Sequence, residues 1–111
     1  MTPAFTYAAI VRRIVDGDTI RIDWDLGAHI WLRDVPVRLL GIDAPELRGP
    51  TRAAGIAARD WLAARLPIGT EVTINTVKGD AFGRYLAWVW VGADLINVDM
   101  VRAGHAVEVK A

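Results

Sequence analysis

The 111 residues carry 13 basic and 13 acidic side chains, so the formal charge is zero, which excludes a polycation that takes up nucleic acid by bulk charge alone. With 53% hydrophobic and 23% charged residues, the composition is that of a folded domain and not of a disordered segment, and we treat 1–111 as one domain. The absence of cysteine rules out disulfides and thiolate metal sites and leaves oxygen or imidazole donors for any metal.

Eleven of the 13 basic residues are arginine, the side chain suited to paired phosphate contacts; genomic base composition accounts for most of that bias. Met1–Val11 has no basic residues ahead of its apolar ones, unlike a signal peptide. No apolar run nears the roughly 20 residues of a membrane span. These features lead to the expectation of a cytoplasmic protein with no membrane partner.

Phe5–Val15 is rich in β-branched and aromatic residues and predicts a strand. Asp16-Gly17 is a hairpin signal. Thr19–Trp24 then alternates, with Ile20, Ile22 and Trp24 on one face and Thr19, Arg21 and Asp23 on the other. After a turn at Asp25–Gly27, His29–Arg33 and Pro36–Ile42 predict a long third strand, bulged or at an edge near Asp34–Pro36 because proline lacks a donor. Trp24 and Trp31 flank that turn and are placed to pair across it.

Gly49-Pro50 marks a loop, and Thr51 is the expected cap of a helix from Arg52 to Leu66. Ala54, Ala58, Trp61, Leu62 and Leu66 form its apolar stripe, and Pro67 and Gly69 end it. Strands are expected over Glu71–Val77 and Arg84–Val91, separated by a loop over 78–83. Asn97 is expected to cap a short helix through Ala103, which Gly104 terminates, and His105–Val109 adds a short strand. Five strands with one long helix between the third and fourth, and a short helix near the C-terminus, make a mainly β, α+β chain with the layout of the OB-fold, a small Greek-key barrel.

The chemistry gathers at strand ends. Asp18 adjoins the first turn. Asp43 and Glu46 close the stretch VRLLGIDAPE (Val37–Glu46), where Pro45 stiffens the segment between them. Asp16, Asp34 and Asp94 suit ordinary turn-capping or solvated roles, but Asp43 ends an apolar strand, where a bare charge is costly. Carboxylates without thiols suggest a hard cation such as Ca²⁺.

Arg38 is embedded among apolar residues and Arg84 follows Gly83. Two guanidinium groups beside a carboxylate-bound cation suit phosphoryl chemistry, with a carboxylate handling the attacking water. Arg38 and Asp43 are five apart, so a regular strand would aim them at opposite faces. A shared site therefore requires a break, and Gly41 is the natural place for it.

The series Val15–Ile20 (VDGDTI), Val37–Glu46, the helix with Gly55 and Trp61-Leu62, Gly83–Ala87 (GRYLA) and Leu95–Gly104 (LINVDMVRAG) resembles the staphylococcal nuclease family over nearly the whole chain. The resemblance implies an OB-fold enzyme that cleaves DNA and RNA, single strands preferentially, using Ca²⁺ and leaving 3′-phosphates. It implies Asp18, Asp43 and the backbone carbonyl of Ala44 as metal ligands, and Glu46 as the group that orients or deprotonates water. Arg38 and Arg84 would grip the scissile phosphate, Asp16 would support the ligands, and Phe82 would lie against a nucleoside or anchor its loop. The chain stops soon after Val109, where better-known members continue into a further helix; poorer base contacts and a homodimer filling that place are both open. A non-catalytic OB-type module binding nucleic acid or protein is the alternative function. His29 and His105 are expected at the surface or partly packed.

Overall fold

The computed structural model describes residues 6–79 and 83–109, with side chains described throughout except at 78 and 79. Strand β1 (Thr6–Asp16) turns into β2 (Thr19–Asp25), which returns as β3 (Trp31–Leu39). A two-residue strand β4 (Ile42–Asp43) precedes a 3-10 turn (Gly49–Thr51) and helix α1 (Arg52–Arg65). Then come β5 (Glu71–Gly79), β6 (Tyr85–Val91), β7 (Asp94–Leu95), α2 (Ile96–Arg102) and β8 (Val107–Glu108).

Sheet order β3-β2-β1-β5-β6 closes on itself because β3 also pairs with β6. The closing seam is parallel, with Val37 opposite Tyr85, Arg38 opposite Leu86 and Leu39 opposite Ala87. The result is a five-stranded OB-like barrel. Its interior follows the period-two pattern: Ile20, Ile22, Val37, Leu39, Ile74, Ala87 and Val89 are buried, and Ala58, Leu62 and Leu66 of the α1 segment join them. Among the described residues no helix is long and apolar enough to cross a membrane.

Several local expectations are corrected. The third strand does not run through to Ile42: it stops at Leu39, and Gly41 takes a positive φ of 79° before β4 starts. An added Cβ at Gly41 would meet the Trp88 ring at 2.9 Å, so tight packing as well as backbone sign holds glycine there. The expected bulge near Asp34–Pro36 is present as a register shift opposite Ile22 and Trp24, with Asp34 at φ 55°.

Thr51 makes no side-chain cap; its hydroxyl instead donates to the Glu46 and Arg48 carbonyls. Ala54 is exposed and Gly55 takes its place on the buried stripe. Asn97 does not cap α2 either. It is fully buried, accepting from the Val89 N–H at 2.9 Å and donating to the Leu40 and Ala87 carbonyls at 2.8 and 3.1 Å. Trp24 and Trp31 do not pair with each other; Trp24 packs edge-on against Tyr7 and Tyr85.

Candidate active site

One end of the barrel collects the chemistry. The β1–β2 turn passes under the segment that follows β4, and Gly17 makes this possible: a Cβ there would lie 2.7 Å from the Ala44 Cβ and 2.8 Å from the Ala58 Cβ. Gly55 does the same from α1, since a Cβ there would clash with the Glu46 carbonyl oxygen. The Asp43–Glu46 segment is thus wedged between a turn and a helix that both lack side chains at the contact. On its other flank β8 pairs with β4, Val107 opposite Asp43, and the Val109 N–H donates to the Gly41 carbonyl at 2.9 Å.

Asp16, Asp18, Arg38, Asp43, Ala44, Pro45, Glu46 and Arg84 line one pocket of about 260 Å³. The break at Gly41 brings Arg38 and Asp43 to the same side, as a shared site requires. The Arg38 Nη2 bridges Asp18 Oδ2 at 3.3 Å and Asp43 Oδ1 at 3.0 Å, while its Nη1 donates to the Leu39 carbonyl at 2.8 Å. Arg84 reaches in from the start of β6 and donates to the Thr19 hydroxyl at 3.3 Å; the parallel seam sets it beside Arg38. Glu46 is exposed at the rim. Phe82 lies outside the described residues.

Asp18 is the buried member. Its Oδ2 accepts the Ala44 N–H at 3.0 Å, and its own N–H donates to Asp16 Oδ1 at 3.0 Å, the turn-capping role foreseen for Asp16. Burial pushes the Asp18 carboxyl up from 3.8 to about 6; the Ala44 N–H opposes this, Asp16 adds to it, and the Arg38 charge opposes it.

Among the described residues no three acidic or imidazole side chains converge on one point. The donors that do converge are two carboxylates, from Asp18 and Asp43, with the Ala44 backbone alongside. That all-oxygen set, with room for water, fits a hard, flexibly coordinated cation such as Ca²⁺, and the guanidinium of Arg38 now sits between the same two carboxylates.

Sequence reasoning missed the wedge at Gly17 and the clamp by β8. Both depend on contacts between distant segments, and a glycine in a turn or helix gives no sign of what lies 3 Å away.

The architecture and pocket together define a small OB-type barrel with an arginine–carboxylate pocket at one end. The family model described as "Staphylococcal nuclease homologue" matches residues 36–111, and the chain belongs to that family. It is 35% identical to the thermonuclease of Staphylococcus intermedius over 87% of this chain and 56% of that protein. It is 31% identical to the protein named Probable endonuclease LCL3 in Candida dubliniensis, over 87% of this chain and 51% of the other. A third relative, Protein ParB of Escherichia coli, is 37% identical over 86% and 54%. The chain thus spans only about half the length of the relatives it matches.

Proposed function

We propose that this chain is a Ca²⁺-dependent nuclease that hydrolyses phosphodiester bonds of DNA and RNA, single strands preferentially, and leaves 3′-phosphate ends. The observation that carries this is the shared pocket, which Asp18, Asp43 and Glu46 from two segments line together with Arg38 and Arg84 from two others. Family membership and the names of the nuclease relatives support the same reading.

Asp18 and Asp43, with the Ala44 carbonyl, would hold the cation. When bound, Ca²⁺ supplies positive charge against the phosphate oxygens. Arg38 would offer its fork to the scissile phosphate, and Arg84 would approach it from the neighbouring strand. Both stabilise the charge that develops on the equatorial oxygens. Glu46 takes the proton of a water that attacks phosphorus. The new oxygen–phosphorus bond forms as the bond to the 5′-oxygen breaks, and that oxygen takes a proton from solvent. The phosphate stays on the 3′ side.

The test is incubation of the pure protein with single-stranded oligonucleotide in millimolar Ca²⁺, followed by end-group analysis. Cleavage to 3′-phosphates that stops with EGTA is expected. Folded protein that cuts nothing, and binds equally after Glu46→Ala or Arg38→Ala, would instead mark a binding module.

A further inference from the structure

Away from the pocket, the outer face of β1, β2 and β3 carries four of the eleven arginines: Arg12, Arg13, Arg21 and Arg33. The ladder pairs Arg21 with Arg13, while Arg12 and Arg33, which both fall at register shifts, converge on the same face at Asp23. Thr19, which holds Arg84, is opposite Arg38. Two residues on, Arg21 is opposite Arg13 on one side and Pro36 on the other. Two further, Asp23 receives Arg12 at 3.4 Å and Arg33 at 3.1 Å, and Arg33 stacks on the Trp31 ring at 4.8 Å.

Each step is about 7 Å along the strand, comparable to the reach between successive phosphates of an extended single strand. Arg12 and Arg33 share one carboxylate, and Arg21 pairs with Asp34 at 2.8 Å, so positive charge exceeds negative on this face. The guanidinium-bearing side chains of Arg12 and Arg33 remain 50% and 62% exposed. Burial alone would raise Asp23, yet hydrogen bonds from the Asp34 N–H, Arg33 and Arg12 hold it below the usual carboxylate value. The hydrogen bond from Arg21, with Arg12 and Arg13 nearby, lowers Asp34.

The geometry points to this face as the track for the nucleic-acid strand that flanks the scissile phosphate. Arg21 and Arg13 would meet the first phosphate beyond the pocket, and Arg12 and Arg33 the next, with Trp31 and the Arg33 plane offering a stacking platform for a base. Asp23 and Asp34 hold the forks in position without cancelling them. A chain of zero net charge thereby concentrates its affinity on one surface. This assignment rests on the nuclease reading for its direction, but its test does not.

Binding of a labelled single-stranded dodecanucleotide is measured by fluorescence anisotropy in EGTA, where no Ca²⁺-dependent cleavage occurs, across a salt series. The paired variant Arg13→Gln with Arg33→Gln is compared with Arg59→Gln with Arg102→Gln, which removes the same charge from the two helices. Arg12 stays in both to neutralise Asp23, and thermal unfolding verifies the fold. The track variant is expected to bind at least about tenfold more weakly at low salt, with a log–log salt slope shallower by about 1.4, since each lost single-strand phosphate contact removes about 0.7. The helix variant is expected to keep the wild-type slope. Equal losses in the two variants, or a wild type that does not bind, overturn the track. If the difference appears but wild type cuts nothing in Ca²⁺, the track stands and the nuclease reading falls. Should the paired variant unfold, Arg13→Gln alone, on an exposed position, is expected to lower the slope by about half as much, and an unchanged slope overturns the assignment.

Discussion

Arg38 is the residue on which the site turns. It bridges Asp18 and Asp43, the two carboxylates proposed to hold the cation, and it is the group proposed to meet a phosphate. A lysine could neutralise the carboxylates, but it cannot make the forked contact. We therefore expect Arg38→Lys to fold normally and to lose about 100-fold or more in kcat, or about 3 kcal/mol, as other charge-stabilising donors do; steady-state kinetics would check this. Asp18 gives a pH prediction. Its folded-state value of about 6 exceeds the ordinary 3.8, so between these limits the folded protein holds a proton that the unfolded chain has released. Metal-free stability should therefore fall as pH rises through that window and stay lower above it. The full shift corresponds to about 3 kcal/mol, which residual exposure screens to less. Denaturant titrations of wild type and Asp18→Asn should differ in this slope. Ca²⁺ binding should tighten over the same range, because the cation must displace that proton.

At the level of elements, two contacts hold the acid-bearing segment. Gly55 allows α1 to approach the Glu46 backbone, and a methyl there would meet a carbonyl that cannot swing away. Gly55→Ala gains up to about 1 kcal/mol of helix propensity but should lose more to overpacking, of order 1–3 kcal/mol, and should reduce kcat by displacing Glu46. Chemical denaturation with parallel kinetics would separate the two effects. Asn97 ties α2 to β6 and to the residue after β3. Asn97→Ala leaves the Val89 N–H without that acceptor and the Leu40 carbonyl without that donor, while the Ala87 carbonyl keeps the Leu40 N–H; at about 1–3 kcal/mol for each unsatisfied buried group, a large drop in Tm is expected. How much of this was visible in the chain differs by element. The alternating strands and α1 could be read because period two and a helical stripe are local patterns. Thr51 and Asn97 were misjudged because both are common capping residues, and only the tertiary contacts show that Thr51 bonds backward to the loop and Asn97 inward to the barrel. Residues of the pocket stood out through burial conflicts, Arg38 and Asp43 each being a charge in an apolar run. Gly17 and β8 gave no such signal, since a small residue or a two-residue strand conflicts with nothing around it.

Across the whole molecule, the barrel is closed by three residue pairs between β3 and β6, and the two arginines of the pocket stand on opposite lips of that seam. Their separation in sequence means that neither turn nor helix formation can bring them together; only the lateral join of β3 and β6 does. The chemistry should accordingly report on that join. As denaturant is raised, turnover is expected to vanish before far-ultraviolet ellipticity changes, and amide exchange at Ala87 to quicken first among barrel strands. A disulfide engineered across the seam away from the pocket would then extend the range over which the proposed activity persists more than it raises the stability of the fold.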